Sequence, residues 1–209
     1  MYIPPKFKQT DTAQLYSLIQ KYPFATMVTH SEAGLDAIHL PLLLRKEGES
    51  HQLVGHIAKA NPVWKSCDGQ PTLIVFNGPE HYVSPNYYPT KKENGRAVPT
   101  WNYAVVHVKG TIQCRHDKEW LQDVINELTN TSEQAQISPW AMDDAPDNYI
   151  DKLLQAVVGI EVSIEDIQGK WKLSQNQPDI NRAGVYEGLS KNTDDKAKKM
   201  AELVKNGKL

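Results

Sequence analysis

The stretch from Asn102 to Cys114, NYAVVHVKGTIQC, constrains this chain more than any other. Asn102, Ala104, Val106, Val108 and Ile112 fall on one side of it, and Tyr103, Val105, His107 and Lys109 on the other. Side chains repeat every two residues along a strand and every 3.6 along a helix, so this alternation calls for a long, half-buried strand. A lone strand leaves its backbone groups unpaired, and the sequence must supply partners.

It supplies several. PFATMVTH (23–30) comes first, followed by LDAIHLPLLL (35–44), in which Ile38, Leu40, Leu42 and Leu44 share a face. Pro41 cannot donate to a ladder, which places that strand at an edge or bulges it. HQLVGHI (51–57) follows the turn signal RKEGES, and PTLIVF (71–76) ends in Asn77-Gly78, which predicts a hairpin returning through HYVS (81–84). A last strand, VGIEVSIEDI (158–167), carries Ile160, Val162 and Ile164 on its buried face, with Gly169 separating it from KWKLSQN.

Helical period is rarer. Leu15, Leu18, Ile19 and Tyr22 form a stripe after Asp11, and Trp120, Leu121, Val124 and Leu128 another after Asp117, each Asp standing where an N-cap belongs. A shorter helix is predicted from Asn148 to Gln155 and an amphipathic one from about Asp194 to Lys205, closing at Gly207. Six or so antiparallel strands with inserted helices predict an α+β fold dominated by antiparallel β, an antiparallel barrel rather than a doubly wound sheet. The 209 residues suit one core, so 1–209 reads as a single domain with a basic helical tail from about residue 190.

Composition narrows the function classes. A formal net charge of −2 argues against a chain built to coat nucleic acid or an anionic membrane. No apolar run approaches the ~20 residues of a membrane span, and MYIPPKFKQT carries no apolar signal core, so a cytoplasmic protein is expected. Cys67 and Cys114, the two cysteines, fit a reducing compartment as free thiols, the reading preferred, as well as they fit a single incidental bridge. The six Lys between Lys191 and Lys208, set against Asp194, Asp195 and Glu202, read as a solvated helix face. The seven His are scattered and suggest no metal site, and no nucleotide-loop or zinc-helix motif occurs.

What carries chemistry is a set of polar and aromatic clusters at strand ends. In GHIAKANPVW (55–64), a strand ends at His56, and Lys59 and Asn61 follow before Pro62. Backbone N–H groups beside a Lys make a phosphate seat. Taken by itself, the segment reads more simply as a strand-to-helix junction with Asn61 as cap and Pro62 at the first helical position. From Ser84 to Val98, a long segment stiffened by Tyr87, Tyr88, Pro85 and Pro89 reads equally as a lid or dimer contact and as a packed Ω-loop. GKWKLSQN (169–176) gathers Lys170, Trp171, Lys172, Ser174, Gln175 and Asn176, alternatively a polar chain exit with Trp171 packed on the barrel. Together the clusters suit an anionic tail, a planar ring and an alternating donor/acceptor edge. FMN fits that description; pyridoxal phosphate, haem or a nucleotide fits somewhat less well.

GHIAKANPVW, VFNGPEHYVSPNYYPTKKENGRAVPTWNYAVVHVKG and GKWKLSQNQPDINRAGVYEGL, with MYIPPKF and HLPLLL, resemble the PaiB-like family of FMN-binding negative transcriptional regulators along nearly the whole chain. The resemblance implies an FMN-binding split barrel related to the pyridoxamine-phosphate oxidase group, forming a homodimer with the flavin at the subunit interface. It implies that His56, Ile57, Lys59 and Asn61 hold the FMN phosphate. Thr100, Trp101, Asn102 and Tyr103 would meet the ring, and Lys172, Ser174, Gln175 and Asn176 would approach the cofactor from the C-terminal side. It identifies no catalytic residue, although Tyr87, Tyr88 or His107 could face a substrate. A redox- or metabolite-linked regulator follows, with an FMN-dependent oxidoreductase using NAD(P)H or another donor as the alternative. DNA is a partner by family label only: no helix-turn-helix is read, and direct repression would have to use the Lys-rich tail.

Overall fold

The computed structural model describes residues 1–48 and 50–209; Glu49, part of the expected RKEGES turn, and the side chains of Asn94 and Asp147 lie outside the described residues. The chain opens with β1 (Lys8–Gln9) and α1 (Thr12–Lys21), then β2 (Phe24–Ser31), β3 (Gly34–Pro41), β4 (Leu43–Glu47) and β5 (Ser50–Ala58). A short α2 (Trp64–Cys67) precedes β6 (Pro71–Val83), and a short α3 (Lys91–Asn94) precedes β7 (Thr100–Arg115). Then come α4 (Lys118–Glu133), α5 (Asp147–Gln155), β8 (Val157–Lys172), α6 (Asp179–Ser190) and α7 (Asp195–Asn206). Among the described residues, no helix is long and apolar enough to cross a membrane.

Asp11 and Asp117 cap their helices as expected, and Asp194, expected inside the last helix, caps α7 in the same way. Each side chain accepts a backbone N–H of the first turn: from Ala13 at 2.9 Å, Trp120 at 2.8 Å and Lys196 at 2.9 Å. Caps of this kind stabilise a helix by about 1 kcal/mol. α7 ends as expected at Gly207, which takes the left-handed conformation at φ 67°. Its lysines lie outward, while Ala197, Met200, Ala201, Leu203 and Val204 are buried.

The strands form one sheet in the order β3-β2-β6-β7-β8-β5-β4, with β1 added on β8. The β2–β3, β2–β6, β4–β5, β5–β8 and β1–β8 ladders are antiparallel. The chain divides into two compact units: residues 1–22, 76–107 and 168–209, and residues 23–75 and 108–167. In the first, Leu15, Leu18 and Ile19 of α1 are buried, and α6 packs with α7. In the second, Val54 of β5 and Val124 and Leu128 of α4 form a cluster edged by Leu43 and Trp120. Each such buried side chain contributes roughly 1.5–3 kcal/mol.

Three sequence expectations are corrected, all at glycine or proline. Asn77-Gly78 makes no hairpin: β6 runs unbroken through it for 13 residues. A tight hairpin of this type needs positive φ, which Gly78 lacks. A Cβ there would stand 2.9 Å from Leu18 Cδ1 and 3.1 Å from the Ala104 carbonyl oxygen, so the glycine makes room for α1. Gly169 does not separate a strand from KWKLSQN either. It lies inside β8, paired with Gln9, where a Cβ would meet Leu15 Cδ2 at 2.2 Å. Pro41 does more than mark an edge. It ends β3, the chain breaks at the buried Leu42, and β4 starts at the opposite end of the strand order. The expected shared face of Ile38 to Leu44 is therefore two faces of two strands.

Candidate functional site

In the first unit, strand alternation sorts the TWNY residues. Asn102 is fully buried, whereas its neighbour Trp101 is 55% exposed and meets Tyr82 edge-on, ring centroids 6.1 Å apart. Tyr103 lies under the Lys170 ammonium, 5.4 Å from the ring centre. Thr100 and Asn102 thus serve one face, and Trp101 and Tyr103 the other.

Thr100 and Asn102 are met by the turn that follows β8. Lys172 Nζ donates to Thr100 Oγ1. Asn102 Nδ2 donates to Ser174 Oγ at 2.9 Å, with Ser174 itself buried. Ser174 is the one described non-glycine residue at positive φ, 63°, a conformation costing about 1–2 kcal/mol. Gln175 holds the turn in that shape. Its Oε1 accepts the Leu173 N–H at 2.6 Å, and its Nε2 donates to the Trp171 carbonyl at 2.5 Å. Both ends of the Gln175 amide are therefore engaged by local backbone.

Tyr88 completes the network with a hydrogen bond to Ser174; burial pushes its phenol pKa up. The segment after Ser84, readable as lid or as packed loop, is packed. Asn181 Oδ1 accepts from Thr90 Oγ1 at 3.0 Å, and a Cβ at Gly184 or Gly188 would stand 2.1 or 2.3 Å from Tyr87. Thr100, Asn102, Lys172, Ser174 and Asn176 all line one cavity of about 320 Å³, with Tyr88 and Arg96. Two cations and no carboxylate are among its described lining residues. Trp101, Tyr103 and Gln175 do not line it.

His56, Ile57, Lys59 and Asn61 belong to the second unit. His56 and Ile57 pair with Gly159 and Val158, and the Ile57 side chain is buried. His56 Nδ1 is buried without a hydrogen-bond partner, and burial holds the imidazole pKa below its ordinary value. The Lys59 N–H donates to Ala156 O at 2.8 Å, and its carbonyl accepts from Trp64 Nε1 at 3.0 Å, which fixes the backbone and leaves the side chain exposed. Asn61 Oδ1 accepts the Val63 N–H at 3.1 Å, the junction role its position before Pro62 predicts.

Residues 1–166 match a family described as "Putative FMN-binding domain". The Protease synthase and sporulation protein PAI 2 of Bacillus subtilis (strain 168) is 33% identical over 207 residues, covering 99% of this chain and 97% of that protein. The chain belongs to the PaiB-like FMN-binding family. Among solved structures, the flavocytochrome Anf3 of Azotobacter vinelandii superposes with a TM-score of 0.57 at 11% identity, over 79% of this chain and 69% of that one. The FAD- and heme-binding protein of Mycobacterium smegmatis gives 0.54 at 15%, over 79% and 73%. At these identities the likeness is one of fold. This PaiB-like chain has the antiparallel split-barrel fold with added helices, and its cofactor is FMN.

The side chains suit that cofactor. The unpartnered His56 Nδ1 and the exposed Lys59 can serve a polar, anionic group in the second unit. In the first, Lys172 and Arg96 present positive charge to a cavity floored by hydroxyl and carboxamide. FMN when bound would supply hydride and single-electron transfer, chemistry that belongs to its ring. Arg96 and Asn181 escaped the sequence reading. Arg96 sits in a polar loop with no periodic signal, and Asn181 lies on α6, a helix the sequence analysis did not predict; Pro178 followed by Asp179 was its one start signal.

Proposed function

We propose that this chain is a cytoplasmic, homodimeric FMN-binding regulator whose output follows a redox or metabolite signal. The observation that carries the reading is the carboxylate-free, doubly cationic cavity built on Asn102 and Ser174. Such a cavity favours an anionic, hydrogen-bonding ligand. Within the second unit, His56, Ile57, Lys59 and Asn61 would seat phosphate. Within the first, Thr100, Asn102, Lys172, Ser174 and Asn176 would address polar groups of the cofactor, while Gln175 would act by holding the turn. The exposed Trp101, edge-on to Tyr82, offers apolar surface of the kind a second subunit covers. The printed name of the Bacillus relative, which links it to protease synthesis and sporulation, supports a regulatory role.

The test is the visible spectrum of the purified protein before and after addition of FMN, read with its mass in solution. A flavin band shifted from that of free FMN, in a species of twice the chain mass, is expected. A protein that takes up no FMN overturns the reading. Steady turnover of NAD(P)H with a small acceptor would replace regulator by oxidoreductase.

A further inference from the structure

Cys67 and Cys114 are 47 positions apart in the sequence, yet the second unit brings their side chains into hydrogen-bonding contact. The juxtaposition is built from several directions. The Gly69 N–H donates to Ile112 O at 2.9 Å and the Ile112 N–H to Gln70 O at 3.0 Å, zipping the segment after α2 to β7. The Cys114 N–H donates to Asp68 Oδ1 at 2.8 Å, and Cys114 Sγ lies 3.5 Å from the Trp64 carbonyl oxygen. Cys67 sits on the last residue of α2, fully buried, while Cys114 is partly open to solvent. Both are free thiols in this structure.

We propose that Cys67 and Cys114 form a reversible intramolecular disulfide, closed by a peroxide and reopened by a dithiol. The contact between the two thiols favours the thiolate at Cys67 and disfavours it at Cys114, whose thiol is held up by that contact and by burial. One thiolate is therefore available, its charge shared across the contact. When the proton of Cys114 crosses the contact to the Cys67 thiolate, Cys114, the sulfur that solvent reaches, attacks one oxygen of hydrogen peroxide while Cys67 holds the proton. The O–O bond breaks, hydroxide leaves and is protonated to water, and Cys114 becomes a sulfenic acid. Cys67 then gives up its proton, attacks the Cys114 sulfur and expels hydroxide, which becomes a second water. Two thiols and one peroxide give one disulfide and two waters; the sulfurs lose the two electrons that the peroxide gains. Closure ties α2 covalently to the end of β7. Through the Trp64 indole N–H bonded to Lys59 O, α2 is already fastened to the turn at Lys59.

The experiment titrates the full-length protein with hydrogen peroxide, blocks remaining thiols by alkylation, and reads the intact mass and a peptide map; bound FMN is not required. The expected result is loss of two hydrogens, loss of alkylation at both cysteines together, and a Cys67–Cys114 linked peptide. Two alkylatable thiols return after treatment with a dithiol. Cys67→Ser, which removes the resolving sulfur, should accumulate a dimedone adduct at Cys114 that the parent protein does not. Three results overturn the proposal: Cys114 advancing to sulfinic acid while Cys67 stays alkylatable, a bridge formed between two copies of the chain, or equal dimedone trapping in parent and variant.

Discussion

The strand mouth at Thr100 and Asn102 and the turn after β5 hold similar side chains in opposite states. At the strand mouth, the polar groups are engaged with one another: Asn102 with Ser174, Lys172 with Thr100, Gln175 with its own backbone. At the end of β5 and the turn after it, the backbone is engaged while His56 Nδ1 has no partner and Lys59 reaches solvent. A buried polar network specifies a shape, because any member removed leaves its partner unsatisfied. A buried polar group without a partner costs the fold its lost hydration and recovers that cost when something binds. Substitution at the two places should therefore fail in different assays.

The largest expected effect is at the turn. Lys59→Ala should weaken FMN binding by about 1.5–3 kcal/mol, roughly 10- to 150-fold, the worth of a charge-assisted hydrogen bond. Its unfolding free energy in urea should stay within about 0.5 kcal/mol of the parent, as for other exposed side chains. Titration of FMN by fluorescence quenching reads the first, and urea unfolding without FMN the second. Unchanged affinity would remove Lys59 from the phosphate site.

Asn102→Leu reverses the pattern. Ser174 keeps its left-handed backbone and loses the amide, at a cost of about 1–3 kcal/mol in urea unfolding of the FMN-free protein. A stability loss in the FMN-free protein marks a structural network. A variant of parental stability would show that Asn102 is held in place for a ligand and not for the fold.

The same contrast explains what the sequence could disclose. The caps at Asp11, Asp117 and Asp194 and the alternation of β7 are local signals, and local signals survive into the structure. Gly78 and Gly169 were misread because a glycine chosen for close approach resembles one chosen for a turn, and only the positions of Leu18 and Leu15 separate them. α6 was invisible for a related reason. Gly184 and Gly188 weaken its helical signal, and their purpose is to admit Tyr87. At the candidate site, residue types could be read but pairings could not: Asn102 and Ser174 are 72 positions apart, and nothing in either segment names the other. The division of TWNY between two faces was readable from strand period alone. The resemblance to the family named all four together, where alternation allows one face of the strand to offer Thr100 and Asn102 only.

The smallest effect tests the turn through its histidine. Burial holds the His56 pKa below the ordinary 6.5, so the folded protein keeps this imidazole neutral while the unfolded chain protonates it. Stability from this source is complete above the unfolded value. It falls as pH drops through about 6.5 toward the depressed folded value, because the unfolded state then binds the extra proton. The urea midpoint of the FMN-free protein should therefore decline on acidification across that window, and His56→Asn should decline less. Asn102→Leu removes no group that titrates there and should run parallel to the parent at a lower level. If His56→Asn keeps the parental slope, the buried nitrogen is not what resists protonation, and the contrast between an occupied strand mouth and an open turn loses its titratable half.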